Sequence, residues 1–234
     1  MKITFLYHSA FLVELETCSL LFDWHGGRVP DIDRSKPLYV FASHHHGDHY
    51  APEIFSLLGM EGTWYVLGSC IRLSARRREA LKIQDDHFFR LGAGRRLTLG
   101  PLTIETIHST DAGVAFLVQA EGKTIFHAGD LQWWQWAEES AEWNREMERD
   151  FKRTIEPLRG RHVDVAFLVL DPRQEDDYWK GFDAFFRTMD IDVAFPMHSW
   201  EEFWVVKKLK RDPCSAPYRD RVREIYYDGQ TFTV

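Results

Sequence analysis

The sequence predicts an α+β fold in which two β-sheets pack against each other and helices cover their outer faces. Short strand-like runs separated by turn residues dominate the first 126 residues, whereas strands and helices alternate from residue 163 onward. Strands in series followed by alternating elements are typical of packed sheets with helical outer layers. Because no linker-like stretch and no repeat of about 20–50 residues divides the chain, a single domain over residues 1–234 is predicted.

Four strands are predicted in the first fifty residues. Ile3–Tyr7, Phe11–Leu15 and Ser19–Asp23 are apolar runs separated by small or polar residues, as in a β-meander. The polar segment 28–37 contains two prolines and is predicted to be a loop. The apolar run Leu38–Ala42 that follows it is predicted to be a buried strand.

Helices and hairpins are predicted between residues 51 and 126. A helix through Leu58 has Pro52 near its first turn, and the strand Trp64–Leu67 follows. Ser69 is predicted to cap a helix that runs towards Ile83, whose arginines indicate a solvated face rather than an RNA-binding one. Five strands punctuated by glycines come next: Phe88–Arg90, Arg96–Leu99, Leu102–Ile107, Val114–Gln119 and Lys123–Phe126.

The remaining elements are predicted to alternate between helix and strand. The segment Trp133–Leu158 is charged and rich in tryptophan, and it predicts a helix whose indole rings pack against a sheet rather than stack on nucleic-acid bases. The elements predicted after it are the strand Val163–Leu170, the helix Trp179–Met189, the strand Val193–Phe195, the helix Trp200–Lys210 and closing strands at Val222–Tyr227 and Thr231–Val234.

Composition and charge exclude several classes of protein. Apolar residues make up 44% of the chain, which is far from a disordered composition, and no apolar run is long enough for a transmembrane helix. The net charge of −7 disfavours nucleic acid as a partner, so a small-molecule substrate is expected. The three cysteines are far apart, which predicts neither disulfides nor a zinc ribbon, and without a signal-peptide pattern the chain is predicted to be cytoplasmic. The sequence leaves open whether it forms a homo-oligomer.

The histidine-rich segment Ser43–His49 is the strongest functional signal, and it directly follows the predicted strand that ends at Ala42. In an extended segment, His44 and His46 point the same way and His45 points elsewhere, because successive side chains alternate. The alternative is a solvated polar loop. Three consecutive histidines also occur in tags, but a tag lies at a terminus and lacks the Asp-His pair that follows here.

A turn in the same segment extends the set of candidate ligands. Gly47 permits a sharp change of direction, which would bring Asp48 and His49 to the region that His44 and His46 face. Imidazole nitrogens together with a carboxylate suit Zn, Mn or Fe, and a cluster this dense could supply two adjacent ions. The spacing therefore predicts a metal site where a strand ends.

Three further candidate ligands, His108, Asp130 and His198, each follow a predicted strand or the turn that leaves one. A lone histidine in such a place is more often a core or surface residue, and Asp130 alone could cap a helix. Their joint occurrence at strand ends, where loops gather, instead favours a shared metal centre.

The order of these motifs resembles the metallo-β-lactamase superfamily. H-x-H-x-D-H is followed by His108-Ser109, by Gly129-Asp130 after a strand, and by Pro196-Met197-His198. The opening Tyr7-His8-Ser9-Ala10-Phe11-Leu12-Val13 is similar to that of the L-ascorbate-6-phosphate lactonase-like branch of metal-dependent hydrolases. The resemblance covers nearly the whole chain and implies a four-layered αββα sandwich, with metals at one edge between the two sheets.

The resemblance also implies a ligand set and a chemistry. Two divalent ions, Zn²⁺ first with Mn²⁺ or Fe as alternatives, would be held as follows: one by His44, His46 and His108, the other by Asp48, His49 and His198, with Asp130 bridging both. A metal-bridging hydroxide would attack a small ester or lactone, which describes a dinuclear metal-dependent hydrolase. Asp48 is the predicted catalytic residue, because it would orient the attacking water or accept its proton.

Two other functions are left open. A phosphodiesterase or nuclease of the same superfamily would need a basic groove, which the net charge disfavours, and a non-catalytic metal-binding sensor could use the same scaffold. His8 and His127 are candidates for contacts to the ligands or to a substrate. The residues predicted to line the mouth are mostly aromatic or acidic, which favours a carbonyl substrate over a polyanion: Trp24, Trp133, Trp200 and Asp171.

Overall fold

The computed structural model describes residues 1–57 and 62–234. Within these residues, the first sheet consists of β1 (Lys2–Tyr7), β2 (Ala10–Glu14), β3 (Ser19–Phe22), β4 (Leu38–Ala42), β5 (Thr63–Gly68), β6 (Phe88–Leu91) and β13 (Thr231–Thr233). Its spatial order is β13-β1-β2-β3-β4-β5-β6. The pairs from β13 to β3 are antiparallel, whereas those from β3 to β6 are parallel.

The second sheet consists of β7 (Arg96–Leu99), β8 (Leu102–His108), β9 (Val114–Ala120), β10 (Lys123–His127), β11 (His162–Val169) and β12 (Asp190–Met197). Its spatial order is β12-β11-β10-β9-β8-β7, with antiparallel pairs from β7 to β10 and parallel pairs from β10 to β12. The main core lies between the sheets, where the rings of Phe11 and Phe167 have centroids 4.3 Å apart. The alternation of apolar side chains along the strands supplies both faces of this core.

Helices and their flanking turns cover the outer faces of the sheets: α1 (Ile54–Leu57), α2 (Ala75–Ala80), α3 (Ala141–Ile155), α4 (Lys180–Thr188) and α5 (Trp204–Arg211). On the first sheet, Phe55 of α1 packs against Tyr65 of β5 with ring centroids 4.9 Å apart. On the second sheet, Phe185 of α4 packs against Phe126 of β10 at 5.5 Å. The result is the predicted succession of helical layer, two sheets and helical layer.

Strand direction decides where functional side chains can gather. In the first sheet β1, β3 and β4 run the same way, and in the second sheet β8, β10, β11 and β12 do so. The loops at the carboxyl ends of such strands lie together at one edge of a sheet. Each predicted ligand follows one of these strands.

The helix after β5 begins later than predicted. Ser74, rather than Ser69, is the N-cap of α2, because its Oγ accepts a hydrogen bond from the backbone N–H of Arg77 at 3.2 Å. Ile71, in the non-helical segment before Ser74, is buried. The helix itself buries no residue, which agrees with the predicted solvated face. In the predicted helix before β5, Leu58 lies outside the described residues.

The predicted helix Trp133–Leu158 is wrong at its amino-terminal end, since α3 begins at Ala141 after the N-cap Ser140. The side-chain amide of Asn144 accepts from the backbone N–H of Trp136 at 3.1 Å and donates to its carbonyl at 2.8 Å. These bonds take the place of helical ones, so the segment before Ser140 is irregular. This irregular segment forms part of the site described below.

The predicted strand Val222–Tyr227 is also wrong. Only Val222 forms a bridge, to Ala194 of β12. The backbone N–H of Tyr226 donates to the side chain of Gln230 instead of a neighbouring strand, at 2.7 Å. Separately, none of the helices in the described ranges combines the length and apolar composition needed to cross a membrane.

Candidate metal centre

The loops at the carboxyl ends of β4, β10 and β12 bring most of the predicted ligands to one place. Gly129, in the loop after β10, has φ +52°, and a side chain there would meet Ser43 Cβ at 2.7 Å. Only glycine fits such a close approach in the left-handed region. The loop that carries Asp130 is therefore pressed directly against the loop that carries His44.

The described residues contain three groups of candidate ligand atoms, within each of which all atoms lie within 4.8 Å of one another. One group, His162, Asp164 and Asp192, contains no predicted ligand, and the other two are called the inner and the outer group. The inner group consists of His8, Asp48, His49 and His198, and the outer group consists of His44, His46, Asp111 and Asp130. Three of the inner residues are almost fully buried, whereas the side chains of His46 and Asp111 are 42% and 44% exposed.

Asp130 lies within reach of both groups. Its Oδ2 is 3.4 Å from His44 Nε2, while its Oδ1 is 2.9 Å from His49 Nε2 and 3.6 Å from His198 Nε2. Ligands of one small divalent ion are typically about 3–4 Å apart, because each bond is about 2 Å long. The two oxygens of Asp130 are thus placed as a bridging carboxylate requires.

The three buried histidines around Asp130 are each held by a hydrogen bond on Nδ1. His49 Nδ1 donates to Asp23 at 2.7 Å, and His198 Nδ1 donates to Asp171 at 3.0 Å. The Ser43 hydroxyl donates to Asp23 at 2.6 Å, so its oxygen accepts from His44 Nδ1 at 2.9 Å. In the neutral form that these bonds favour, each Nε2 carries the lone pair that a metal would use. Nε2 of His49 and of His198 has no hydrogen-bond partner, whereas His44 Nε2 lies 3.0 Å from His46 Nδ1.

The electrostatics of the inner group depend on the carboxylates around it. Although burial opposes it, the charges of Asp130 and Asp23 raise the pKa of His49 well above its usual value. Burial would raise the pKa of Asp130, but His49 and His198 hold it well below the usual range. Burial, with His198 and His49 nearby, lowers the pKa of His8 to about 2, so this imidazole is neutral. A cation among these groups would displace protons from the histidines.

Unpaired buried atoms test whether the residues fit a metal. His8 Nε2, His49 Nε2, His198 Nε2 and Asp130 Oδ1 are buried without a hydrogen-bond partner. The 2.9 Å contact between His49 Nε2 and Asp130 Oδ1 is short but not aligned as a hydrogen bond. Buried polar atoms without partners are costly, and nitrogen and carboxylate donors that converge in this way suit divalent transition metals. The residues therefore fit the predicted ions.

Six of the seven predicted ligands, all except His108, fall in the two groups. His45 is exposed and belongs to neither, as its position in the triplet predicts. His108 ends β8 opposite Val114, is exposed, and lies outside both groups. The chain turns back after it, and Asp111 instead faces His46, with carboxylate and imidazole atoms 3.4 Å apart. A role for His108 as a ligand stays a prediction.

Sequence reasoning missed Asp23 as a support of the ligands, and it placed Asp171 at the mouth, whereas the structure buries Asp171 behind His198. Asp23 and Asp171 are fully buried and follow β3 and β11, both of which run parallel to a ligand-bearing strand. Position at the carboxyl end of a strand, the signal that identified Asp130, applied equally to both of them. Asp171 also accepts from the backbone N–H of Arg173 and pairs with its guanidinium.

His127 supports the fold of the centre and is not part of either ligand group. Its Nδ1 accepts from the backbone N–H of Gly129 at 3.1 Å, so its Nε2 donates to the carbonyl of Ser9 at 3.0 Å. Its ring stacks on Phe22 with an interplanar angle of 6°. These contacts fix the turn that presents Asp130.

A cavity of about 330 Å³ opens onto both groups. Its walls are partly aromatic, as predicted, but the aromatic residues are Trp134, Trp136 and Trp143 rather than the predicted ones. Of the residues predicted for the mouth, Trp133 packs against Lys152 and Lys180 in a different cavity, and Trp24 borders another. The irregular backbone before α3 turns neighbouring tryptophans in different directions, which a helix prediction could not anticipate.

The chain was compared with known proteins by sequence and by fold. No protein-family model matches the chain. A UPF0173 metal-dependent hydrolase of Opitutus terrae is 31% identical over 156 residues, which cover 56% of this chain and 63% of that relative. The match thus spans less than two thirds of the relative's length.

Two solved structures share the fold over nearly the full chain. A metallo hydrolase from the archaeon Ignicoccus hospitalis is 17% identical with a TM-score of 0.62, covering 100% of this chain and 98% of that one. A metallo-β-lactamase fold protein from Bacillus subtilis is 15% identical with a TM-score of 0.56, covering 99% of each chain. The chain therefore has the metallo-β-lactamase fold, and the predicted αββα sandwich is confirmed. The relatives support the superfamily, while the lactonase-like branch stays a prediction.

Proposed function

We propose that this chain is a dinuclear metal-dependent hydrolase that acts on a small ester or lactone. The observation that carries the proposal is the common arrangement of His44, His49 and His198 around Asp130. Each imidazole is engaged on Nδ1 and presents Nε2 towards that carboxylate. Partners behind a histidine fix the tautomer that metal binding needs. Buried imidazole nitrogens that converge on one carboxylate are not expected in a solvated polar loop.

Formal charge supports two ions rather than one. The centre and its supports contain five carboxylates and one guanidinium, a formal charge of −4 that two divalent cations would neutralise: Asp23, Asp48, Asp111, Asp130, Asp171 and Arg173. Uncompensated buried charge is strongly unfavourable. The nitrogen-rich donor set favours Zn²⁺, with Mn²⁺ or Fe as alternatives.

The chemistry divides between the ions and the chain. Two such ions, when bound, supply Lewis acidity at a substrate carbonyl and lower the pKa of water to about 7. Asp48 lines the cavity, and its Oδ2 lies 3.6 Å from His198 Nε2. Although burial would raise its pKa, His198 and His49 hold it below the usual range, so Asp48 is ionised. An ionised carboxylate in the cavity lining can orient the attacking water or accept its proton.

The character of the cavity supports a carbonyl substrate. Among its lining residues Arg173 is the one cation, whereas Asp48, Asp111 and Asp130 are carboxylates. With two ions bound to those carboxylates, Arg173 alone remains to pair with phosphate groups, which is too little for a nucleic acid or polyphosphate. The similarity to a metal-dependent hydrolase supports hydrolysis, and the resemblance of the opening residues to the lactonase-like branch supports a lactone.

Metal content tests the dinuclear part of the proposal. Protein purified without chelator, or reconstituted with excess Zn²⁺ or Mn²⁺, should contain about two ions per chain, because its ligands exceed what one tetrahedral ion needs. Elemental analysis after dialysis measures this number. A content of one ion or none would refute the dinuclear centre.

A substrate panel tests the reaction. Lactones, aryl esters, phosphodiesters and structured RNA should be offered to the protein loaded with Zn²⁺ or Mn²⁺. We expect chelator-sensitive hydrolysis of a carbonyl substrate that is abolished by His198→Ala and retained by His162→Ala, an exposed histidine away from the cavity. Cleavage of RNA or a phosphodiester alone would replace the ester or lactone by a phosphoryl substrate. Inactivity towards the whole panel with both ions bound would favour a sensor.

A further inference from the structure

Arg173 is fixed at the cavity beside the candidate metal centre. The Asp171 carboxylate accepts from its Nε at 3.0 Å and from its Nη2 at 2.5 Å. The guanidinium also lies against two indole rings, 4.5 Å from the centroid of Trp200 and 5.8 Å from that of Trp136. A guanidinium held by a carboxylate and by aromatic faces keeps its orientation without a ligand.

This arrangement leaves part of the guanidinium free. The side chain is 48% exposed and lines the cavity. No hydrogen bond from Nη1 is present in the part of the chain that the structure describes, whereas Nε and Nη2 are both used. The charge of Asp171 is shared with His198, whose Nδ1 donates to it at 3.0 Å. Arg173 can therefore still donate to an anion that enters the cavity.

Another part of the cavity wall is apolar. Trp136, Trp143 and Met147 line it, and the ring of Trp134 stacks on that of Trp136 at an interplanar angle of 8°. The volume of about 330 Å³ lies at the lower end of the range for small-molecule cavities, roughly 300–1,000 Å³. The cavity thus offers one cation, one apolar wall and room for a small ligand.

We infer that the substrate is a small monoanion, with a carboxylate or similar oxyanion group attached to an apolar body. The anionic group pairs with Arg173, the apolar body packs against Trp136, Trp143 and Met147, and the scissile bond faces Asp130. With the carboxylates engaged by the ions, Arg173 is the one side-chain cation in the cavity lining, so it offers a partner for a single anionic group. This inference rests on the proposed function, because it names the substrate class of the same centre.

Binding of two matched ligands tests the inference without catalysis. Isothermal titration of the Zn²⁺-loaded protein should compare 3-phenylpropionate with the neutral 3-phenylpropanamide. We expect the carboxylate to bind about tenfold more tightly, because a charge-assisted hydrogen bond is stronger than a neutral one. Arg173→Met should remove this preference, and Arg173→Lys should keep part of it. Trp143→Ala should weaken both ligands alike, since it removes only apolar wall.

Arg187 provides a matched control, because it is a partly exposed arginine paired with a carboxylate, Asp183, away from this cavity. Arg187→Met should leave the preference for the carboxylate unchanged. The visible spectrum of the Co²⁺-substituted protein then shows whether the carboxylate binds the ion instead of Arg173. Binding to Arg173 should leave the spectrum close to that of the unliganded protein.

Three results would overturn the inference. The first is a preference for the carboxylate that survives in Arg173→Met. The second is a spectral shift showing that the carboxylate binds the metal ion. The third is that neither ligand binds to protein with both ions in place. Metal content is measured on the same samples. Loss of the dinuclear centre and failure of the substrate class are therefore distinguished.

Discussion

The inner and outer groups of ligands differ in how the chain supports them. In the inner group, His49 and His198 are buried and each is held by a buried carboxylate, Asp23 or Asp171. In the outer group, His46 and Asp111 face the cavity and are each more than two-fifths exposed. Fixed, desolvated ligands bind a metal more tightly than mobile, solvated ones, because less order is lost on binding. We therefore expect a tight inner ion and a more exchangeable outer ion.

This difference also separates two tasks. In the proposed dinuclear centre, a tightly held inner ion would organise the ligands, whereas an ion in the outer position, which faces the cavity, would be open to water and substrate. Asp130 connects the two, since its oxygens reach ligands of both groups. The following substitutions test this division, beginning with the one that should affect both groups.

Asp130→Asn should have the largest effect on metal content. It removes the negative charge that both groups share, so we expect both ions to bind roughly a hundredfold or more weakly. Metal analysis after dialysis should give close to zero ions per chain. Asp183→Asn is a matched control, because Asp183 is also buried but pairs with Arg187 away from the centre. Retention of a full inner ion in Asp130→Asn would show that the carboxylate does not bridge.

His46→Ala should remove one ion and leave the other. His46 belongs to the outer group, so the outer ion should be lost while the inner ion keeps its affinity. His45→Ala should retain both ions, because that neighbouring side chain is exposed and lies in neither group. Elemental analysis of the two variants in parallel measures the difference. Equal loss from both would contradict the register of the triplet.

Asp23→Asn should weaken the inner ion without removing it. The substitution takes the charge from the partner of His49 Nδ1, and changes of this kind typically cost about 10–100-fold in metal affinity. Competition with a chelator of known affinity measures the change. Asp171→Asn should act in the same direction through His198. An unchanged affinity in both folded variants would mean that burial alone distinguishes the two groups.

Gly113→Ala should have the smallest effect on metal and a clear effect on stability. A Cβ there would lie 2.1 Å from the Ser43 carbonyl oxygen and 2.6 Å from His44 Cβ. Gly122→Ala is the control, because Gly122 shares the left-handed conformation but has open space around it. The control should lose about 1–2 kcal/mol of unfolding free energy, and Gly113→Ala roughly 1–3 kcal/mol more. Urea denaturation of both measures the difference, and equal losses would contradict the close approach.

Much of the fold could be predicted because apolar runs and turn residues are local signals. The strand Leu38–Ala42 has the predicted bounds, and so does Arg96–Leu99. Helix starts were less accurate, because Ser69 and Ser74 are residues of the same type and only the folded chain, in which Ser74 accepts from the Arg77 N–H, distinguishes them. The three-dimensional packing that selects one cap over another cannot be predicted from a short stretch of sequence.

The candidate site could be predicted where ligands form a motif and not where support comes from single residues. The H-x-H-x-D-H spacing identified His44 and His49, since alternation and a glycine turn determine where these side chains point. Asp23 carries the same positional signal as Asp130 but lies in no motif. Arg173 takes its role from Asp171 and two indole rings, which the fold alone brings together.

The ligands come from both sheets, and this has a mechanical consequence. His44 and His49 belong to the first sheet, Asp130 and His198 to the second, and all lie at the carboxyl ends of their strands. Bound ions would fasten the sandwich along that side, whereas chelation would leave only contacts such as that between His49 and Asp130 to join the two sheets there. Native-state hydrogen exchange of chelated protein should therefore accelerate first at amides near Ala42 and Met197, while amides near Leu38 and Ile191 keep their protection. Metal occupancy would then decide from which end the sandwich opens.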